Sequence, residues 1–187
     1  MNDIRIIDTH CHLDFNELKT RLDDVIKDAK INNVTDMVTI STNLSRIDTI
    51  KDISEQYQEV FFTVGVHPNE AHKDKQYDDH YFIENYSNHE KCVGIGEGGL
   101  DYFYNMDNMK LQKKSLEVQI NVARSTNLPM IIHSRDADND MIEILKSEYK
   151  NGPFRAILHC FSSGEELAYC GLCLLYTSDA ADDVRSG

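Results

Sequence analysis

Residues 4–12 read Ile4-Arg5-Ile6-Ile7-Asp8-Thr9-His10-Cys11-His12. An apolar, β-branched run leads straight into a cluster of acid and imidazole side chains. That junction decides between two architectures. A parallel sheet wound in two directions usually follows its first strand with a glycine-rich phosphate loop. Here the first strand ends in candidate ligands instead. Polar groups at the strand's C-terminal end are what a closed (β/α) barrel requires, because all its strand ends converge on one mouth.

Working outward, the same alternation continues. Helices are predicted over 22–31, 45–57, 111–124 and 141–149. Further strands are predicted over 37–41, 60–66, 91–96, 129–133 and 155–160. Strands that are apolar throughout, alternating with helices, indicate a parallel sheet covered on its faces. Functional-looking residues end at least five of these strands, and this pattern selects the barrel. The expectation is an incomplete TIM (β/α) barrel of the metallo-dependent hydrolase type, about six of eight strands, over residues 1–168.

Composition narrows the classes. The chain has 187 residues, 41% hydrophobic and 27% charged, ordinary for a globular protein. No segment reaches membrane-spanning length. The N-terminus has no basic n-region or cleavage site, which predicts a cytoplasmic protein. Five scattered cysteines fit reduced thiols better than a disulfide framework. A net charge of −13 argues against a broad basic surface for duplex DNA, although cations in a pocket can neutralise a phosphodiester locally.

The chemistry sits at the strand ends. Residues two apart on a strand share a face, so Asp8, His10 and His12 project together. Two imidazoles so placed can grip one cation, with Asp8 as the acceptor behind them. Glu97 follows the fourth strand between Gly96 and Gly98-Gly99, and a carboxylate can bridge two cations through its two oxygens. His133 and His159 each close an apolar run. His67, ahead of Pro68, is placed to reach a substrate oxygen. Arg135 is placed to hold a phosphate oxygen with its donor fork or to make a helix-start salt bridge, and Asp101 to orient a ligand or shape its loop. His72, His80 and His89 read as solvated surface, and Cys11, Cys92 and Cys160 as small packed groups. Cys170-Gly171-Leu172-Cys173 is a lone CxxC without a partner pair.

Taken in order, Asp8-Thr9-His10-Cys11-His12-Leu13, Gly65-Val66-His67-Pro68, Gly96 to Tyr102, Pro129 to Arg135 and Leu158-His159-Cys160-Phe161-Ser162 resemble the TatD family of metal-dependent deoxyribonucleases. The resemblance covers residues 3–168. It implies that His10 and His12 bind one divalent ion, that His133 and His159 bind a second, and that Glu97 bridges them. It also implies a cofactor pair of Mg²⁺, with Zn²⁺ or Mn²⁺ as alternatives, and 3′–5′ exonucleolytic hydrolysis of DNA, single-stranded or at 3′ ends. Catalysis falls to Glu97 and His67, substrate contact to Arg135 and His67. No feature calls for an obligate protein partner.

Two departures accompany it. The family usually carries a larger residue where this chain has Gly98. It also carries a metal-binding aspartate after the last barrel strand, and the stretch 169–187 departs from the family pattern, which reads as a truncated chain with a foreign tail. Two alternatives stand beside the nuclease reading. One is a related amidohydrolase cleaving amides, lactones or phosphotriesters, a group that often bridges its metals with a carboxylated lysine; no lysine adjoins Glu97. The other is an inactive metal-binding fragment.

Overall fold

The computed structural model describes residues 5–73, 80–104, 106–174 and 176–178. Its strands are β1 (Ile6–Cys11), β2 (Val34–Thr39), β3 (Val60–Val64), β4 (Cys92–Asp101), β5 (Met130–Arg135), β6 (Ala156–Leu158) and β7 (Thr177–Ser178). The helices are α1 (Asn16–Lys19), α2 (Leu22–Ile31), α3 (Ile47–Gln56), α4 (His80–Ser87), α5 (Met109–Thr126), α6 (Asp138–Asn151) and α7 (Glu165–Cys173). Every strand pairs in parallel with its successor, in the order β1 to β7. A doubly wound sheet would reverse that order part-way. Sequential winding is the barrel's, and the fold class read from the sequence holds.

The sheet is also curled. β1 and β6 are not neighbours, yet the rings of His10 and His159 stack 3.5 Å apart. Two apolar clusters cover its outside. In the smaller, Leu22, Val25, Ile26 and Ala29 line one face of α2 at i, i+3, i+4 and i+7 and meet Met37 and Val60. In the larger, Leu116 and Ile120 of α5 pack with Phe62, Val64, Ile95 and Met130 of the strands. α5 stops at Asn127, whose left-handed φ of 57° turns the chain into β5.

Several boundaries differ from the sequence reading, and the differences matter for the site. β4 does not stop at residue 96 but runs to Asp101, because Gly98, Gly99, Leu100 and Asp101 pair with Ile132, His133, Ser134 and Arg135. Glu97 therefore lies inside a strand and not in a loop after one. β1 begins later than expected and carries His10 and Cys11 within it. Gly94-Ile95-Gly96-Glu97-Gly98-Gly99 has the G-x-G-x-x-G spacing, but it lies within β4 and builds no strand-to-helix phosphate loop. The helix expected from residue 45 opens as a 3-10 turn, Leu44–Arg46, before α3. α4 was not legible in its polar, acidic surroundings. Regular structure runs on through α7 and β7, so the expected boundary at 168 falls inside α7. No helix among the described residues is long and apolar enough to cross a membrane.

Candidate metal centre

β4 carries Glu97 into the interior of the mouth, where only 4% of its surface stays exposed. Its backbone N–H donates to the Ser41 carbonyl at 3.0 Å, fixing the residue against the end of β2. From there the carboxylate reaches both ways. One oxygen lies 3.3 Å from His10 Nε2, and the other lies 3.0 Å from His133 Nδ1 and 3.8 Å from His67 Nε2. His159, just past β6, lies flat on His10 with an interplanar angle of 4°. His12 meets His10 edge-on at 5.3 Å. All these groups line one cleft of about 580 Å³.

The strand ends thus bring together every imidazole expected from sequence, but in a different grouping. Ligand atoms within reach of one another form two triads, His10–Glu97–His159 and His67–Glu97–His133, which share the carboxylate. The resemblance had paired His10 with His12 and His133 with His159. Asp8 does not stand behind the imidazoles: its carboxylate accepts the backbone N–H of His10 at 3.1 Å. The acceptor behind His12 is the Ile40 carbonyl, 3.2 Å from Nδ1. With that nitrogen donating, Nε2 keeps its lone pair for the cleft.

The electrostatics follow from the crowding. Burial disfavours the Glu97 carboxylate, but hydrogen bonds from His10 and His133 outweigh it and hold its pKa well below the ordinary range. Burial likewise works against a charged His133, yet Asp101 and Glu97 raise it to about 9. Burial lowers His67 to about 4, so its ring is neutral. Because Nδ1 of His67 accepts the Asn69 N–H at 3.1 Å, the proton of that ring belongs on Nε2, which faces Glu97. Burial and the neighbouring His10 lower His12 as well. The lowered His67 and His12 rings and the buried carboxylate suit a divalent cation, whose usual donors are nitrogen lone pairs and carboxylate oxygens, whereas His133 must give up a proton before it can ligate.

Asp101, left open by the sequence, has two duties here. One oxygen lies 3.3 Å from His133 Nε2, and the other accepts the N–H groups of Phe103 and Tyr104 at 3.1 and 3.0 Å. The side chain behind a metal-binding histidine fixes its ring and tautomer. Asp101→Asn is therefore expected to weaken binding of a divalent cation roughly 10- to 100-fold, read by calorimetric titration.

Two buried glutamines of α5, which sequence reasoning missed, hold the strand ends in place. Gln112 bonds both the N–H and the carbonyl of Asp101, and Gln119 does the same for Val66, just before His67. Their spacing of seven puts both on the sheet-facing side of the helix. Gln119→Leu keeps the volume but strands both Val66 backbone groups; a loss of about 1–3 kcal/mol is expected in a urea melt.

Other lining residues were also not foreseen. Phe15 stacks on His12 at 4.7 Å, and Arg46 lies over Phe15 while pairing with the buried Asp14 at 3.0 Å. Thr42, Asn43, Glu70 and Cys160 share the cleft, so Cys160 is not merely a packing group. Cys11 and Cys92 do pack: burial raises both thiols, and each faces a backbone carbonyl. His72 is exposed as expected. His89 is half-buried and not simply solvated surface; its side chain is 21% exposed and sits 3.2 Å from Glu55. The side chain of His80 lies outside the described residues. Arg135 makes no salt bridge with any described carboxylate, and its guanidinium lies 3.9 Å over the ring of Phe103.

A curled parallel sheet with imidazoles and one shared carboxylate at its mouth can now be compared with known proteins. The family model of TatD-related DNases matches residues 7–178. The chain belongs to that family. Among relatives, it is 37% identical over 163 residues to the metal-dependent hydrolase YabD of Bacillus subtilis, covering 87% of this chain and 63% of that protein. It is 29% identical over 183 residues to human deoxyribonuclease TATDN3, covering 90% and 65%. In structure it is similar to YjjV, a TatD homolog of Escherichia coli K12, with a TM-score of 0.83, 26% identity, and coverage of 93% and 67%. The chain thus spans less than two thirds of the length of these curated relatives. Within the TatD-related family, the shared carboxylate and its histidines are the part of the molecule with the clearest chemistry.

Proposed function

We propose that this chain carries the centre of a metal-dependent phosphodiesterase acting on DNA, with two divalent cations held on either side of Glu97. The observation that carries the reading is the position of that carboxylate: buried, with one oxygen toward His10 and the other toward His133. His10, His159 and one oxygen of Glu97, with His12 beside them, would hold one cation, and His133 with the other oxygen of Glu97 the second. The family membership and the name of the human relative support DNA as the substrate. The imidazole-rich donor set favours Zn²⁺ or Mn²⁺ over the Mg²⁺ expected from the resemblance, since Mg²⁺ prefers oxygen ligands.

When bound, such a pair of cations supplies Lewis-acid polarisation of a phosphoryl oxygen and lowers the pKa of water. The protein's own groups do the rest. His12 and Phe15 wall one side of the cleft, and His67 presents an N–H at Nε2 to a substrate oxygen beside Glu97. Asp101 keeps the His133 ring fixed.

The test is hydrolysis of oligodeoxynucleotides with each cation in turn, set against cyclic amides. DNA cleavage is expected with Mn²⁺ or Zn²⁺, abolished by a chelator and restored by the metal. Cleavage of an amide with DNA left intact would favour the amidohydrolase reading instead. Absence of any hydrolysis while two equivalents of cation remain bound would leave the inactive fragment.

A further inference from the structure

β5 does not end at the metal centre. His133 faces the cleft, and the next two residues, Ser134 and Arg135, line a second pocket of about 760 Å³. That volume lies within the usual range for small-molecule sites, about 300–1,000 Å³. Its other walls include Asp138, Asn139, Ser162 and Gly164. Ser134 Oγ and Arg135 Nη1 are both buried and have no hydrogen-bond partner among the described residues. Buried polar groups in native proteins are nearly always satisfied, so two adjacent orphans in one pocket point to an absent ligand. The carboxylates nearby do not supply the partner. Asp138 accepts the Gly164 N–H at 2.7 Å, Asp140 is engaged by Lys113 and Tyr102, and Asp136, which also lines the pocket, makes no ion pair with Arg135 among the described residues.

The guanidinium also has an aromatic face beside it. Its carbon lies 3.9 Å from the Phe103 ring centre and 4.8 Å from that of Tyr104. Both rings stand out into solvent, 56% and 60% exposed. Their backbone is nevertheless tethered, since both N–H groups donate to the carboxylate of Asp101 that also faces His133. Exposed rings on a tethered backbone, beside an arginine with an unpaired donor, are the ingredients of single-strand recognition: a base stacks, and a phosphate is held. With a net charge of −13, binding cannot rest on a broad basic surface and must come from such local contacts.

We propose that Arg135, Ser134, Phe103 and Tyr104 form a subsite for one nucleotide of a single strand next to the bond being cleaved. Arg135 and Ser134 donate to its phosphate, and its base stacks on Phe103 or Tyr104. A base inside a duplex is stacked on both faces and has none to offer these rings, so the subsite favours nucleotides of a single strand over those within a duplex. This inference rests on the phosphodiesterase reading above.

The experiment uses the full chain and two substrates: a short oligodeoxynucleotide bearing 2-aminopurine at its 3′ end, and methyl p-nitrophenyl phosphate, which has no base. Stacking is read without metal, as quenching of the 2-aminopurine. For Phe103→Ala with Tyr104→Ala, the quench is expected to disappear and oligonucleotide binding to weaken about tenfold. The ratio of kcat/KM between oligonucleotide and small diester is expected to fall by a similar factor. Phe103→Tyr with Tyr104→Phe, which keeps both rings, restores binding. A merely structural role would lower both activities together and leave their ratio alone. The subsite is refuted if the parent protein binds the oligonucleotide without quenching, or if the double alanine variant matches it in binding and ratio. If the parent cleaves neither substrate, the phosphodiesterase reading fails, whatever the quench.

Discussion

Glu97→Gln is expected to lower the affinity for divalent cations by at least about 100-fold, beyond what the loss of an outer contact costs a metal site, and to remove hydrolysis with it. The amide has the same shape, so the fold should be kept; a thermal melt checks this. What changes is the second oxygen. It becomes an NH₂ that cannot accept or ligate, and it must face either His10 or His133. A carboxylate shared by two triads loses one of them whichever way the amide turns. His133, facing a neutral amide in place of the carboxylate charge, is also expected to titrate below its present value of about 9. Unchanged affinity for two equivalents in calorimetry would contradict the whole arrangement.

The largest effect on stability is expected at Gly99. A Cβ there would stand 1.9 Å from the His133 carbonyl oxygen, and the residue's φ of +157° is one that side chains rarely adopt. The obstacle is backbone, held in the β4–β5 ladder opposite Gly99 itself. It cannot step aside without unpairing the strand that carries His133. Gly99→Ala should therefore cost more than about 4 kcal/mol, a large part of the roughly 5–15 kcal/mol by which domains are stable. Gly98→Ala makes the comparison sharper. There a Cβ would meet the ends of the Gln119 and Met130 side chains at 2.7 Å; Met130 can swing aside, and Gln119 can do so by giving up its Val66 bonds. A cost of about 1–3 kcal/mol is expected. Urea midpoints of the two variants decide the matter: similar midpoints would mean that the β4–β5 contact is looser than described. The same contacts explain how this chain carries glycine at 98, since Gln119 and Met130 occupy the space a larger residue would take.

The sequence by itself determined the winding and most of the centre. Apolar runs such as Val60–Val64 alternate with amphipathic stretches such as α2, and the polar residues fall after the apolar runs and not within helices. Those are local periodicities, and they are enough to place His10, His67, His133 and His159 at strand ends that a barrel gathers at one mouth. Only the tertiary structure decided the rest. Gly98 and Gly99 look like a turn until β5 is there to pair with them. Gln112 and Gln119 look like solvated helix positions until the barrel turns that face of α5 onto the ends of β4 and β3. Asp101 and His133 are 32 residues apart, and Glu97 and His133 are 36 apart. Contacts at such separations depend on strand register and helix rotation, which no single stretch of chain specifies.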